Sequence, residues 1–210
     1  MTKSPFTRNT RELNERKGPA KIAGLTGGIA SGKTVATNAL KAAGFFVVDA
    51  DEVSRALTAK GTPAEKEIMR LFPLASKGGA LDRRLLRELI STDASARHKL
   101  NAYTHPLITD EIKNIISSHG TPAVISAPLL FESALSSLCD CIVCVTAPKR
   151  IRVKRIVERD NVSVAAAEAI ISAQIPDCYR ATLSDYCVPS DVDKKTFAAE
   201  IVDLFTRIFN

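Results

Sequence analysis

The segment Gly27-Gly28-Ile29-Ala30-Ser31-Gly32-Lys33-Thr34 constrains this chain more than any other. It follows a short apolar run, Lys21-Ile-Ala-Gly-Leu-Thr26, whose composition predicts a strand. It precedes a stretch from Gly32 to Ala43 with helical character, which Gly44 is placed to stop. A glycine-rich turn between a strand and a helix aims successive backbone N–H groups inward and forms an anion-binding nest. The helix start adds its positive dipole end. In that setting Gly28, Ala30, Ser31 and Gly32 form a phosphate cradle, and Lys33 reaches the outer phosphates as a mobile point charge. The hydroxyl of Thr34 is placed to ligate Mg²⁺. The segment therefore reads as a phosphate loop with ATP as the expected nucleotide. The bland alternative is a glycine-rich turn with an incidental lysine.

The remaining pattern alternates strands with helices. Phe45-Phe-Val-Val48, Ala123-Val-Ile-Ser126 and Cys141 to Thr146 read as short buried strands, and Tyr186-Cys-Val188 as a last one. Pro148 opens a helix that carries Arg150, Arg152, Arg155 and Arg159. Further helices are expected over Val164–Ile175, bounded by Pro176, and over Lys195–Phe209. Residues of about 52–120 look helical, with punctuation at Gly61-Thr-Pro63, Gly78-Gly79 and His105-Pro106 and no convincing strand. The expected architecture is an α/β fold of three layers around a parallel sheet. The helical middle is an insertion, too long for a bare connection, that covers the carboxyl end of the sheet, where ligands bind. A helical lid is expected at about 150–180 of the domain spanning 21–210. Residues 1–20 are polar, lack periodicity and end in Gly18-Pro19, so they read as a flexible tail.

Composition excludes several classes. The chain has 210 residues, of which 45% are hydrophobic and 25% charged, so it is globular rather than disordered. No apolar run approaches the ~20 residues that span a bilayer, and the polar N-terminus has no apolar signal core, which makes the cytoplasm the default address. The net charge is +6; residues 1–20 hold five basic and two acidic side chains, half of that excess. A mildly basic core suits polyanionic small substrates. Aromatics are only 5% and Trp is absent, so stacking platforms for nucleic acid are scarce. Cys139, Cys141 and Cys144 invite a zinc reading, but they lack a second ligand pair and fall on a buried strand, where Cys acts as a small hydrophobe. Nothing in the pattern sets an oligomeric state.

A phosphate cradle does not name a reaction. A GTPase would carry Asp-x-x-Gly and Asn-Lys-x-Asp, and neither occurs. A motor or transporter ATPase would end an apolar strand in an acid, but here the strand ends at Ser126. A small-molecule kinase needs the cradle, a second helical pocket for the acceptor and a basic lid. Arg152, Arg155 and Arg159 lie at i, i+3 and i+7 on one helix and are the lid candidates, against the reading of a solvated basic face. Asp82, Arg83 and His105 are the acceptor-side candidates, although a lone His before Pro is more often structural. Asp49 and Asp51 follow the second strand, which a doubly wound sheet would set beside the strand of the phosphate loop. One of them is suited to accept a hydroxyl proton or hold Mg²⁺ through water, and the other to cap the next helix.

Taken together these pieces resemble the dephospho-coenzyme A kinase family. The resemblance rests on Gly24 to Thr34, Val48-Asp-Ala-Asp51 with Arg55, Leu81-Asp-Arg83, Thr104-His-Pro106, Pro128-Leu-Leu-Phe-Glu132, and Arg155 to Asp160 followed by Gln174. It spans about residues 21–190. It implies a phosphate-loop kinase core, a helical acceptor-binding domain and a mobile lid. It also implies transfer of the γ-phosphoryl of ATP, with Mg²⁺, to the 3′-hydroxyl of dephospho-coenzyme A. Asp51 would be the general base, Lys33 and Arg155 catalytic, Arg159 a lid residue on the nucleotide, and Asp82, Arg83 and His105 acceptor-side residues. Alternatives are another small acceptor, such as a nucleoside or nucleotide, or a weakly catalytic ATP-binding module. The chain departs from the family pattern in four places. Ala30 replaces a glycine, Thr34-Val35 replaces Ser-Thr, Ser126 stands where members often carry Asp, and the Asn-Gly common near the last strand is missing.

Overall fold

The computed structural model describes Thr7–Arg8 and residues 21–210. The expected tail thus lies outside the described residues, apart from Thr7–Arg8. The described chain divides into two compact units, one built from the residues up to Val48 with Gly120–Asn210, the other from Asp49–His119.

The first unit is organised by a sheet. Its strands are β1 (Thr7–Arg8), β2 (Ile22–Gly27), β3 (Phe46–Asp49), β6 (Ala123–Ser126), β7 (Cys141–Thr146) and β8 (Tyr186–Pro189), in the order β1-β8-β7-β2-β6-β3. The strand numbers β4 and β5 belong to a hairpin of the second unit, at Ser76–Lys77 and Ala80–Leu81. β2 runs parallel to both β6 and β7, and β7 runs parallel to β8. β1 is antiparallel on the edge of β8, a pairing the sequence did not suggest. The apolar residues of β2, β6 and β7 are almost wholly enclosed, which is why these strands read as continuous apolar runs rather than alternating ones.

Helix α1 (Lys33–Ala42) follows the phosphate loop. It ends as foreseen at Gly44, whose φ of 88° allows the N–H groups of Gly44 and Phe45 to close on the carbonyls of Lys41 and Leu40. Ala36 and Leu40 of α1 share a core cluster with β2, β7 and the last helix, α9 (Lys194–Phe209), which contributes Phe197, Ile201, Leu204 and Phe205. Between β7 and β8 run α6 (Lys149–Asp160), α7 (Val164–Ser172) and α8 (Asp177–Thr182). Pro148 is the cap of α6 rather than its first residue, and α8 is an extra helix beyond Pro176.

The sheet order corrects one expectation. β3 does not neighbour β2, because β6 lies between them. The chain leaves β2 for the far edge and returns to both of its flanks, so the order reverses at β2 itself. The switch point, where such folds bind ligands, is thus the carboxyl end of β2, at which Gly27 begins the phosphate loop.

The second unit contains α2 (Ala50–Leu57), α3 (Pro63–Leu71), α4 (Arg83–Thr92) and α5 (Ala94–His119) around Ile68, Phe72, Leu86 and Ala96. Two readings of this region need correction. Gly78-Gly79 is the two-residue turn of the β4–β5 hairpin, with φ of 59° and 76°. Strands of two residues carry no alternation from which to read them. Pro106 does not interrupt the chain but sits inside the 26-residue α5. Packing of α5 against α2 and α4 offsets the roughly 3 kcal/mol that an interior proline costs a helix.

Candidate nucleotide site

The phosphate loop is shaped by contacts that leave little choice of residue. A side chain at Gly27 would meet the Val145 carbonyl oxygen at 2.7 Å and the Ser31 hydroxyl. Gly32 has φ of 107°, and its open flank is filled by Ser190, which a Cβ would meet at 2.9 Å. Ala30 has φ of 58°, a left-handed conformation that an L-residue with a Cβ seldom adopts. The Ser31 amide donates to the Gly28 carbonyl at 3.1 Å. The Ser31 side-chain hydroxyl is buried without a protein partner. No side chain caps α1 at Gly32. A loop with two left-handed residues, a buried hydroxyl left over and an uncapped helix start fits a bound phosphate chain.

Lys33 donates from Nζ to the Ser126 hydroxyl at 2.9 Å, and Ser126 in turn lies 3.0 Å from the Thr37 hydroxyl. The position that often carries an acid in the resembled family therefore receives the lysine through a neutral oxygen. Thr34 is exposed in the first turn of α1.

The basic residues of α6 do something the spacing did not reveal. Three successive loop carbonyls are each taken by a side chain. Arg152 Nε donates to the Ile29 oxygen at 2.8 Å, Arg155 Nη1 donates to the Ala30 oxygen at 3.0 Å, and the Ser190 hydroxyl donates to the Ser31 oxygen. Fixing these carbonyls fixes the direction of the amides that follow them, those of Ala30, Ser31 and Gly32, of which the Ser31 amide is taken by the Gly28 carbonyl. Arg155 is itself held by Ser190, through the hydroxyl at 2.9 Å and the carbonyl at 2.6 Å. Gln174 accepts from the Ile29 amide at 2.8 Å and from Arg152 Nη2 at 3.3 Å. Arg152 is only 3% exposed and ion-paired with Asp177. Asp177 also takes Arg180 at 3.4 Å, and Arg180, wholly buried, reaches Glu132 at 3.4 Å.

Arg159, on the same helix, makes none of these loop contacts. It pairs with Asp160 at 2.7 Å through two nitrogens, and that side-chain hydrogen bond holds the Asp160 carboxyl below its ordinary range. The solvated reading applies in part to this end of α6, while Arg152 and Arg155 lie against the loop and donate to its carbonyls.

The acceptor-side candidates all belong to the second unit. Asp49 caps α2, accepting from the amides of Asp51 at 2.9 Å and Glu52 at 3.3 Å. Asp51 stands in the first turn of α2 and is exposed. Asp82 caps α4, accepting from Arg84 at 2.9 Å and Leu85 at 3.1 Å; the Leu85 amide is the main cause that keeps its carboxyl below the usual range. Arg83 donates to the carbonyl and hydroxyl of Thr58 at the end of α2. His105 is half-buried in α5 immediately before Pro106.

Ser190 and Asp177 escaped the sequence reading, and Gln174 entered it only as a motif member. No short-range spacing signals them: Gln174 and Ser190 reach the loop from 145 and 159 residues away, and Asp177 meets Arg152 and Arg180 rather than the loop backbone. Cys141 and Cys144 are buried in β7, and burial pushes the Cys144 thiol up to about 12. Among the described residues no three His, Cys, Asp or Glu side chains gather as a metal site, and no helix is long and apolar enough to cross a membrane.

Comparison with known proteins extends this geometry. The family model for dephospho-CoA kinase matches residues 21–195. The dephospho-CoA kinase of Moorella thermoacetica is 38% identical over 187 residues, which cover 86% of this chain and 88% of that one. That of Acinetobacter baylyi is 36% identical over 192 residues, 90% of this chain and 98% of its own. Among solved structures, the dephospho-CoA kinase of Campylobacter jejuni superposes with a TM-score of 0.66 at 25% identity, covering 90% of this chain and 97% of that one. A shikimate kinase from Acinetobacter baumannii, at 15% identity and a TM-score of 0.53 over 91% of this chain and 94% of its own, shares the fold alone. The fold is the α/β P-loop kinase fold, a mostly parallel sheet with helices on both sides. On the match over residues 21–195 and the identity to these relatives, the chain belongs to the dephospho-CoA kinase family.

Proposed function

We propose that this chain transfers the γ-phosphoryl group of ATP to the 3′-hydroxyl of dephospho-coenzyme A, giving coenzyme A and ADP as the last step of coenzyme A biosynthesis. The observation that carries the reading is the family match across residues 21–195, joined to a phosphate loop whose backbone is already turned for an anion. Gly28, Ala30 and Gly32 bind the phosphate chain through backbone amides, and Ser31 through its buried hydroxyl. Lys33, released from Ser126, neutralises charge on the outer phosphoryl oxygens. Mg²⁺ bound with the nucleotide supplies further charge neutralisation, and Thr34 is its proposed protein ligand.

Asp51 is the proposed general base. Asp49 is engaged as the helix cap, and Asp51 is the exposed acid of the pair. In the reaction the 3′-oxygen forms a bond to the γ-phosphorus, its proton passes to Asp51, and the bond to the ADP leaving oxygen breaks. Asp82, Arg83 and His105 are proposed for the acceptor. Arg155 is proposed to act in catalysis and Arg159 on the nucleotide, as lid residues, and both carry their charge on a helix that follows the loop's neighbouring strand. The proposed setting is the cytoplasm, with no membrane or nucleic-acid partner. The test is ADP release from ATP–Mg²⁺ against an acceptor panel. Release is expected only with dephospho-coenzyme A; faster turnover with a nucleoside, a nucleoside monophosphate or shikimate overturns the acceptor, and nucleotide binding without turnover on any acceptor overturns the kinase reading.

A further inference from the structure

Four charged side chains behind the phosphate loop alternate in sign: Glu132, Arg180, Asp177 and Arg152. The first closes the Pro128-Leu-Leu-Phe-Glu132 segment, to which the proposed reaction assigns no role. The last donates to the Ile29 carbonyl at 2.8 Å. Asp177 is the centre of the chain, because its two carboxylate oxygens divide between two guanidinium groups, Oδ2 to Arg152 and Oδ1 to Arg180. Both arginines are enclosed, at 3% and 0% exposure, so neither charge is balanced by water. Arg180 Nε has no partner, which makes that guanidinium dependent on its Nη contacts with Asp177, Glu132 and the Ile175 carbonyl. The group also bears directly on the loop. A Cβ at Gly28 would meet Arg152 Nη2 and Asp177 Oδ1, each at 2.7 Å.

We propose that Asp177 is a positioning residue for nucleotide binding, holding Arg152 on the Ile29 carbonyl and so fixing the amide orientation of the phosphate loop before nucleotide arrives. The inference rests on the reading of Gly27–Thr34 as a nucleotide cradle and is independent of which acceptor is used. The physical ground is the peptide plane. The Ile29 carbonyl and the Ala30 amide share one plane, so a donor fixed on the first fixes the direction of the second. Asp177 touches no loop backbone in its own right; it acts by making the site of Arg152 a place where a buried cation is stable. Its neutralisation would leave two enclosed guanidinium groups side by side, and Arg152 would withdraw from the carbonyl.

The test is ADP and ATP binding by calorimetry without acceptor, on the full chain, with thermal unfolding measured alongside. Asp177→Asn is expected to weaken both nucleotides on the order of tenfold, and to raise the KM for ATP with little change in the KM for the acceptor or in kcat. The decisive measurement is the same substitution in an Arg152→Met background, where it should have almost no further effect on affinity. An equal loss in both backgrounds shows that Asp177 does not act through Arg152 and overturns the inference. Glu168→Gln breaks the exposed Lys149–Glu168 pair, which joins α6 to α7 at 3.0 Å, and is expected to leave affinity unchanged. A loss there as large as for Asp177→Asn would mean general loosening and would also overturn it. Should Asp177→Asn fail to fold, Asp177→Glu keeps the charge one methylene further out and should give a smaller loss of the same kind; unchanged affinity refutes the role. A wild-type chain that binds no nucleotide overturns the cradle reading together with this inference, whereas one that binds equally well with and without the Asp177 carboxylate overturns this inference alone.

Discussion

Ala30→Gly should make the protein more stable, although it removes a methyl group from a half-buried position. The reason is backbone conformation. At φ of 58° Ala30 occupies the left-handed region, which costs an L-residue about 1–2 kcal/mol because Cβ crowds the following carbonyl. Glycine removes that cost but gives the unfolded chain more freedom, which offsets about 0.4–1 kcal/mol. The difference is a gain of roughly 0–1.5 kcal/mol, with a central value near 0.8. For a chain of this length a gain of that central size corresponds to a rise in Tm of about 2–3 °C. The anchor at this residue survives, because Arg155 holds the Ala30 carbonyl and not its side chain. The assay is thermal and urea unfolding without nucleotide, since bound ligand would shift both midpoints by mass action. A fall in stability of about 1 kcal/mol or more, well outside the worked range, would show that the Ala30 methyl packs favourably by more than the strain it carries.

Other consequences can be measured directly. Lys33→Met should keep the fold, because Ser126 retains Thr37 at 3.0 Å, and should lower kcat/KM by roughly 10²–10³-fold, the scale of one lost charge-stabilising donor at a reacting phosphoryl group; near-normal turnover would contradict the phosphate-loop reading. Asp51→Asn should lower kcat by about 10²–10⁴-fold with ATP affinity unchanged, while Asp49→Asn, which preserves a capping oxygen, should do much less; if Asp49→Asn abolishes turnover and Asp51→Asn does not, the two roles are exchanged, and rescue of Asp51→Asn by excess Mg²⁺ would make Asp51 a metal-holding group. Asp193 caps α9 by accepting from the Lys195 and Thr196 amides at 3.0 Å each, and hydrogen bonds from Thr196 hold its carboxyl below the ordinary range. A lowered folded value means the contribution is fully present above the unfolded carboxylate pKa of about 3.9 and is lost as pH falls through the folded value; Asp193→Asn should therefore flatten part of the acid limb of the urea midpoint between about pH 2 and 5, and an unchanged limb would show that the cap does not contribute to it.

What the sequence determined by itself was whatever depends on neighbours along the chain. The phosphate loop between β2 and α1 was legible because glycines, lysine and threonine must stand at fixed offsets for a strand to turn into a helix around an anion. The buried strands β6 and β7 were legible as apolar runs, the stop at Gly44 as a left-handed residue, and Asp49 as one of two acids suited to cap α2. Order and spacing of separated motifs carried the family, since no single motif names an acceptor. The tertiary structure decided whatever depends on residues distant in sequence. The place of β6 between β2 and β3 is set by which edges pair, and the apolar runs do not encode that. The continuation of α5 through Pro106 reflects packing that overrides a local preference. Arg152, Arg155 and Arg159 of α6 share one helical spacing but not one fate. Arg152 and Arg155 were drawn onto loop carbonyls by Asp177, Gln174 and Ser190, and Arg159 stayed in solvent with Asp160. A guanidinium takes the partner that the fold brings within hydrogen-bond reach, and for Arg155 that partner is Ser190, 35 residues further along the chain.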